Sequence, residues 1–328
     1  MNFIKPIIRP RRLRKNKEIR DLVQQNNIHK NDIVYPMFIV EGKNIKQAIK
    51  SMPDINRLSI DLTIKEIEKL FKKGIKGFAL FPYNDISLKD EKGTQSTNSN
   101  NLINRAIREI KKQIPECVIF ADVALDPYTT HGHDGVCDEK GNVLNDETVE
   151  ILTKQSIELA KSEADFVCPS DMMDARIINI RNALDNNGFE NTGIMSYAVK
   201  YASGFYGPFR DAVGSNNLLK GDKKTYQMNP ANKKEALIEA KLDVQEGADI
   251  IMIKPGMPYL DIISQTKQEI NNPVAVYQVS GEYSMLKNMI DSGDLSDDVI
   301  MESIICFKRA GADIIFTYFA PKIIDMID

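Results

Sequence analysis

Two apolar runs of this sequence end in lysine: Met195-Ser196-Tyr197-Ala198-Val199-Lys200, and Ile250-Ile251-Met252-Ile253-Lys254, which is followed by Pro255-Gly256. A short apolar run with a sharp end reads as a buried strand, so each run delivers one amine to the loop at its exit. Burial disfavours the charged ammonium and lowers its pKa. A lysine that is a free amine near neutral pH forms a Schiff base with a carbonyl substrate. Two such amines on neighbouring strands also repel as cations, which keeps at least one of them nucleophilic. The bland alternative is two solvated lysines just past unrelated strands.

Three further groups of residues carry chemistry. The stretch from Asp122 to Gly135 holds Asp122, Asp126 and Asp134 together with His131 and His133. These three aspartates and two histidines, Asp126 and Asp134 among them, could hold a divalent cation, and carboxylates without thiolates suit Mg²⁺ better than Zn²⁺. No dedicated ligand spacing occurs there, and on spacing alone an Asp/Gly-rich turn with capping histidines is the better reading. A glycine-rich, aromatic segment from Tyr201 to Asn229 is too long for a simple connection and reads as a lid. Its Arg210 and one of Lys223 and Lys224 could clamp a carboxylate, because a guanidinium fork matches carboxylate geometry. Exposed loop cations are otherwise merely solvated. Ser280 and Tyr318 put hydroxyls at the ends of two later apolar runs, where they could hold a second anion or cap a turn.

The elements that must position these groups alternate. Strand candidates run from Ile33 to Val40, Gly77 to Phe81, Val118 to Ala124, Phe166 to Pro169, Gly193 to Lys200, Ile250 to Lys254, Val274 to Val279 and Ile314 to Tyr318. Pro36 is a mild objection to a central place for the first. Each of the others follows a helical stripe, such as Ile103, Ala106, Ile107 and Ile110. A degenerate echo closes three helices and opens three strands: Glu163-Ala164-Asp165-Phe166, Gly247-Ala248-Asp249-Ile250 and Gly311-Ala312-Asp313-Ile314. Eight alternating units in one domain fit a (β/α)8 barrel better than a doubly wound sheet, and no GxGxxG or GxxxxGK[ST] sequence argues for a nucleotide fold. In such a barrel the chemistry sits at the carboxyl ends of the strands, here Asp122, Ser170, Lys200, Lys254, Ser280 and Tyr318.

Composition excludes several classes. A formal net charge of -3 leaves no footprint for nucleic acid, despite the basic start at Arg9, Arg11, Arg12, Arg14 and Lys15, which reads as an interface arm. No apolar run approaches the roughly 20 residues needed to span a bilayer, and the polar start lacks the apolar core of a signal peptide, so a cytoplasmic location is expected. The four cysteines are scattered without any CxxC spacing, which indicates neither a disulfide framework nor a thiolate zinc site.

With these residues in view, the chain resembles the porphobilinogen synthase, or 5-aminolevulinate dehydratase, family from Arg9-Pro10-Arg11-Arg12-Leu13-Arg14 to Tyr318. The resemblance rests on Ile253-Lys254-Pro255-Gly256-Met257-Pro258-Tyr259-Leu260-Asp261, on Lys200-Tyr201-Ala202-Ser203 and on Phe205-Tyr206-Gly207-Pro208-Phe209-Arg210. It implies a (β/α)8 TIM barrel over residues 31–328, with a lid at about 201–229. An N-terminal arm over 1–30 would make oligomer contacts, typically in a homo-octamer. It implies condensation of two 5-aminolevulinate molecules to the pyrrole porphobilinogen, with loss of two waters, in tetrapyrrole synthesis. A single-lysine Schiff-base aldolase on the same fold is the alternative enzyme, and a non-catalytic barrel scaffold the alternative from another class.

The same resemblance assigns roles. Lys254 matches the lysine that binds the substrate supplying the propionate side of the pyrrole, and Lys200 the one that engages the second substrate. Ser280 and Tyr318, with Tyr277 beside them, match the carboxylate binders of the first substrate. Arg210, Lys223 and Gln227 match the residues that hold the second substrate's carboxylate, and Asp122 and Ser170 those at its amino end. Zinc-dependent members carry three cysteines at the positions held here by Ala124, Asp126 and Asp134. No active-site zinc is therefore expected, with K⁺, Na⁺ or no cation in its place. Glu239 matches the residue that binds an allosteric Mg²⁺ away from the active site, approached by Arg14 of a neighbouring arm.

Overall fold

The computed structural model describes residues 7–214, 218–219 and 221–327. Residues 1–6 of the expected arm, and 215–217 and 220 of the expected lid, lie outside the described residues, as does 328. The arm holds a 3-10 turn at Pro10–Arg14 and the short helix α1 (Lys17–Leu22), capped by the Asn16 side chain on the Ile19 N–H. Then come β1 (Ile33–Val40), a small hairpin of β2 (Lys46–Ala48) and β3 (Asn56–Leu58), and α2 (Ile60–Lys73).

The chain continues through β4 (Gly77–Tyr83), α3 (Leu102–Gln113), β5 (Val118–Val123), α4 (Asn145–Lys161), β6 (Phe166–Pro169), α5 (Arg176–Asn186) and β7 (Gly193–Lys200). The short α6 (Gly207–Ala212) precedes α7 (Lys234–Gln245), β8 (Ile250–Lys254), α8 (Leu260–Glu269) and β9 (Val274–Gln278). The chain closes with α9 (Ser280–Asp291), α10 (Asp298–Ala310), β10 (Ile314–Thr317) and α11 (Ala320–Ile323).

β1, β4, β5, β6, β7, β8, β9 and β10 pair in parallel in that order, and β10 returns to β1, which closes a (β/α)8 barrel. The hairpin was not foreseen: β3 adds to the far end of β1, and β2 pairs antiparallel with it. Pro36 is accommodated because β1 pairs with β10 only at Ile33 and Val34, and with β3 only at Phe38 and Ile39. On that side the proline falls in a gap of the ladder, while on the other it stands opposite Ala79 of β4. The expected helices form for the reasons the spacing predicts. In α3, Leu102, Ile103, Ala106, Ile107 and Ile110 are buried, and Asn101 caps the Asn104 N–H. α2 ends at Gly74, whose φ of 117° favours glycine. Among the described residues, no helix is long and apolar enough to cross a membrane.

The sequence echo has a physical cause. Asp165, just before β6, accepts the Ile119 N–H of β5 at 2.7 Å. Asp249 does the same for Ile194 of β7, and Asp313 for Val274 of β9, both at 2.7 Å. Each aspartate thus pins the amino end of its strand to the preceding strand.

Candidate active site

The two expected lysines meet. Lys200 and Lys254 end β7 and β8 as register partners, and both side chains are buried. Their surroundings differ sharply. Lys254 Nζ lies 4.7 Å from the ring centre of Tyr277, 5.0 Å from Phe209, and 5.2 Å from both Tyr197 and Tyr206. Burial first, and then the Lys200 charge, bring its pKa down to about 7. Lys200 Nζ instead donates to the Ser170 carbonyl and lies 3.4 Å from Asp134 Oδ2.

The three aspartates converge on this pair. Lys223, from the lid, donates to Asp134 Oδ1 at 2.6 Å and lies 3.7 Å from Asp126 Oδ2. Burial works against the Asp134 charge, but Lys200 and Lys223 outweigh it and bring the carboxyl to about 2. For Asp122 the balance goes the other way, because burial outweighs the Ser170 hydroxyl and the Lys200 and Lys254 charges. Burial, then the Asp126 charge, push its carboxyl up to about 7, and its Oδ1 is buried with no hydrogen-bond partner among the described residues. Asp126 and Asp134, expected as candidate cation ligands, therefore face ammonium groups. His131 meets a backbone group, as the capping alternative has it, its Nε2 lying 3.1 Å from the Glu91 carbonyl, whereas His133 Nδ1 meets the Tyr226 side-chain hydroxyl at 3.1 Å. Among the described residues, no group of three or more His, Cys, Asp or Glu side chains is arranged to hold a metal ion.

The lid is more ordered than its glycine-rich sequence predicts, holding a 3-10 turn at Gly204–Tyr206 and the helix α6. Its two ends join beside the lysines, where Met228 N–H donates to the Lys200 carbonyl at 3.0 Å and Ala202 N–H to the Met228 carbonyl at 2.8 Å. Arg210, Lys223 and Gln227 line the same cavity as Asp122, Asp126, Asp134, Ser170 and both lysines. With Tyr206, Phe209, Arg210, Lys223 and Gln227 packed over the lysines, that cavity has about 30 Å³ left.

Ser280 and Tyr318 correct the sequence reading in part. Ser280 is the first residue of the unforeseen α9 rather than the end of a strand, and Tyr318 lies one residue past β10. The Ser280 hydroxyl accepts from the Phe209 N–H at 2.9 Å and donates to the Phe205 carbonyl at 3.4 Å, so it faces the lid backbone. Gly281 allows this approach, since a Cβ there would lie 2.5 Å from the Phe205 carbonyl oxygen. Tyr277 and Tyr318 share a hydroxyl–hydroxyl bond of 2.8 Å.

Glu239 sits on α7, away from the lysines, in a separate cavity of about 790 Å³ with Glu235, Asp174, Asn229 and Asn232. Burial pushes its carboxyl up to about 7, with Arg176 acting in the opposite sense. These oxygen donors are of the kind a hard cation takes, but they line a wide cavity and, among the described residues, are not gathered into a ready-made metal site.

Several residues of the site went unread in the sequence. Tyr197, Tyr206, Phe209 and Tyr277 form a box around Lys254, and no role beside that lysine was read for Tyr197, or for Tyr206 and Phe209 on the lid. Glu282 accepts from the N–H groups of Met257, Gly256 and Val279, and so fixes the loop that leaves Lys254. Lys89, buried in the loop after β4, reaches the Gly214 carbonyl of the lid at 3.4 Å, and its charge acts on Asp126.

A parallel barrel with a desolvated lysine amine and a second lysine at the strand exits has the architecture of a carbonyl-condensing (β/α)8 enzyme. Comparison with known proteins narrows that class. The family model for delta-aminolevulinic acid dehydratase matches residues 7–326, and the chain belongs to that family. A delta-aminolevulinic acid dehydratase of Bradyrhizobium diazoefficiens is 50% identical over 316 residues, covering 96% of this chain and 89% of the relative. One from Methanothermus sociabilis is 47% identical over 322 residues, covering 98% and 99%. The crystal structure of delta-aminolevulinic acid dehydratase (porphobilinogen synthase) from Toxoplasma gondii, in complex with the reaction product porphobilinogen, superposes with a TM-score of 0.97. It is 46% identical and covers 99% of this chain and 92% of that one.

Proposed function

We propose that this enzyme condenses two 5-aminolevulinate molecules to porphobilinogen with loss of two waters, through imines on Lys254 and Lys200. The observation that carries the two-lysine reading is the in-register pair at one cavity, one amine desolvated and the other held by a carbonyl and a carboxylate. A single-lysine aldolase would leave Lys200 without a role.

The chemistry follows from the surroundings. The neutral Lys254 amine attacks the ketone of the substrate that supplies the propionate side, and water leaves as the imine forms. Lys200 engages the ketone of the second substrate in the same way, which releases the second water. Each imine makes its carbon a better electrophile and the neighbouring carbon more acidic. One new C–C bond and one new C–N bond join the two molecules, and both lysines leave again as amines, so the balance closes at two waters. Asp122, with a carboxyl near 7, is poised to move protons between these steps.

Arg210, Lys223 and Gln227 hold the second substrate's carboxylate under the lid, and Asp122 and Ser170 its amino end. Ser280, Tyr318 and Tyr277 bound the first substrate's carboxylate. Glu239, with Glu235 and Asp174 on the same cavity, would be the residue to hold Mg²⁺, and a bound ion would supply positive charge beside these carboxylates. If K⁺ or Na⁺ enters the active site, Asp126 and Asp134 are the groups that meet it, in competition with Lys223. The arm, whose Ile7, Ile8, Leu13 and Leu22 are exposed, packs against further copies in a homo-octamer.

Borohydride reduction in the presence of 5-aminolevulinate, read by peptide mass, should label Lys254, and a colorimetric assay should detect pyrrole product. An unlabelled Lys254 would defeat the proposal. Loss of pyrrole in Lys200→Ala with Lys254 still labelled separates the two-lysine reaction from a one-lysine aldolase.

A further inference from the structure

The hairpin outside the barrel wall grips the lid. Arg57 of β3 is a charged side chain that is only 7% exposed. Its Nε donates to the Ala212 carbonyl at 2.7 Å and its Nη2 to the Asp211 carbonyl, the last two residues of α6. The guanidinium also stacks 4.2 Å from the ring centre of Tyr83. Ser51, in the turn between β2 and β3, adds a second hold: its hydroxyl donates to Asp211 Oδ2 at 2.6 Å. The turn is itself tied to α9, through Tyr283 OH to the Pro53 carbonyl at 2.6 Å and Ser284 Oγ to the Ser51 carbonyl at 2.7 Å.

Helix α6 is thus held at two points. The last carbonyls of a helix have no partners within it, and a guanidinium is a rigid fork that satisfies two at once at the negative end of the helix dipole. The other hold is Ser280, which accepts the Phe209 N–H. Between these anchors lie Phe209, which walls Lys254, and Arg210, which lines the cavity.

We propose that Arg57 is a positioning residue for the reaction: it clamps the carboxyl end of α6, with Ser51 assisting, so that Phe209 and Arg210 complete the site when the lid is down. Arg57 itself touches no substrate. This rests on the proposed function, in which Arg210 holds the carboxylate of the second substrate. Loosening the clamp therefore weakens binding of the second molecule, while Lys254, still walled by Tyr197, Tyr206 and Tyr277 outside α6, keeps forming the first imine.

The test uses the full chain with Arg57→Ala, Arg57→Lys and Ser51→Ala, assayed for pyrrole formation, Lys254 trapping, thermal melting and tryptic cleavage at Arg210 and Lys223. Removing a charged hydrogen-bond donor from a buried carbonyl pair should raise KM about tenfold in Arg57→Ala. kcat at saturation and Lys254 trapping should stay within about threefold, an effect smaller than one lost hydrogen bond to charge. Arg57→Lys, whose single ammonium cannot fork, should fall between the two, and cleavage within the lid should speed up with the same ranking. Should Arg57→Ala fail to fold, Arg57→Lys and Ser51→Ala carry the same comparison. The proposal is overturned if both leave KM and lid cleavage at the parent's values, or if kcat and Lys254 trapping fall together with KM unchanged. Lid cleavage is read without substrate, so it tests the clamp even where absence of pyrrole in the parent defeats the proposed function.

Discussion

Lys200 and Lys254 face each other because β7 carries one more residue than β8 between two points of their ladder: Ser196 pairs with Ile251, but Val199 pairs with Ile253. Without that step, continuing the Ser196–Ile251 register by four residues would set Lys200 against Pro255, and Lys254 against Val199. Side chains alternate along a strand, so a shift of one residue sends a side chain to the other face. The bulge brings both amines to one cavity, the re-aiming task for which bulges recur beside active sites.

The pH dependence of imine formation follows from Lys254. Its pKa is depressed to about 7, so the nucleophilic amine is lost as pH falls through 7 and is fully present above it. The rate of borohydride trapping should rise with pH to a plateau, half-maximal near 7. The Asp122 charge raises the Lys254 value, so Asp122→Asn should move the midpoint to lower pH. A midpoint near that of an ordinary lysine would refute the desolvated amine.

Asp134 neutralises two lysines at once. Removing one member of a buried ion pair costs about 3–5 kcal/mol, because the remaining charge is left without compensation. Asp134→Ala should lower the melting temperature and abolish pyrrole formation. Trapping at Lys254, whose amine sits among aromatic rings, should remain within a few-fold of the parent. Equal loss at both lysines would show that the two surroundings are not separable.

Glu282 offers a stability test. It accepts three backbone N–H groups around the exit of Lys254, and burial pushes its carboxyl up to about 7. A glutamine there turns one acceptor into a donor aimed at other donors, at a cost of about 1–3 kcal/mol. Glu282→Gln should melt several degrees lower and slow Lys254 trapping. Unchanged melting would mean the loop is held by other means.

Cation dependence tests the proposed Mg²⁺ site at Glu239. Activity after chelation and dialysis should respond to Mg²⁺ through Glu239, and restoration by zinc alone would refute the absence of an active-site zinc requirement. Below its value of about 7 the Glu239 carboxyl is protonated and must lose that proton to bind. The apparent Mg²⁺ affinity, measured by titration calorimetry, should weaken as pH drops from 8 to 6, and Glu239→Gln should remove that dependence.

Much of this was legible because the informative residues lie where a run of one kind stops. Lys200 and Lys254 end apolar strands, Gly74 ends a helix, and the repeated aspartates open strands. The hairpin escaped because Lys46, Gln47 and Ala48 are exposed and show no apolar alternation. Ser280 was placed on a strand because Val274 to Val279 runs straight into it, and nothing local marks the first turn of α9. The Arg57 clamp joins positions 155 residues apart, a relation that no spacing rule encodes. The box around Lys254 draws Tyr197 and Tyr277 from two strands, with Tyr206 and Phe209 from the lid, and each alone resembles filling.

The aspartate pins carry one more consequence. Asp249 ties β8 to β7 at the end opposite the two lysines, while the ladder joins the same strands at Lys200 and Lys254. Both amines therefore ride on a single two-strand body, fastened at bottom and top. The spacing across which two bound substrates must be joined is therefore set by one strand pair and not by the segment that covers it.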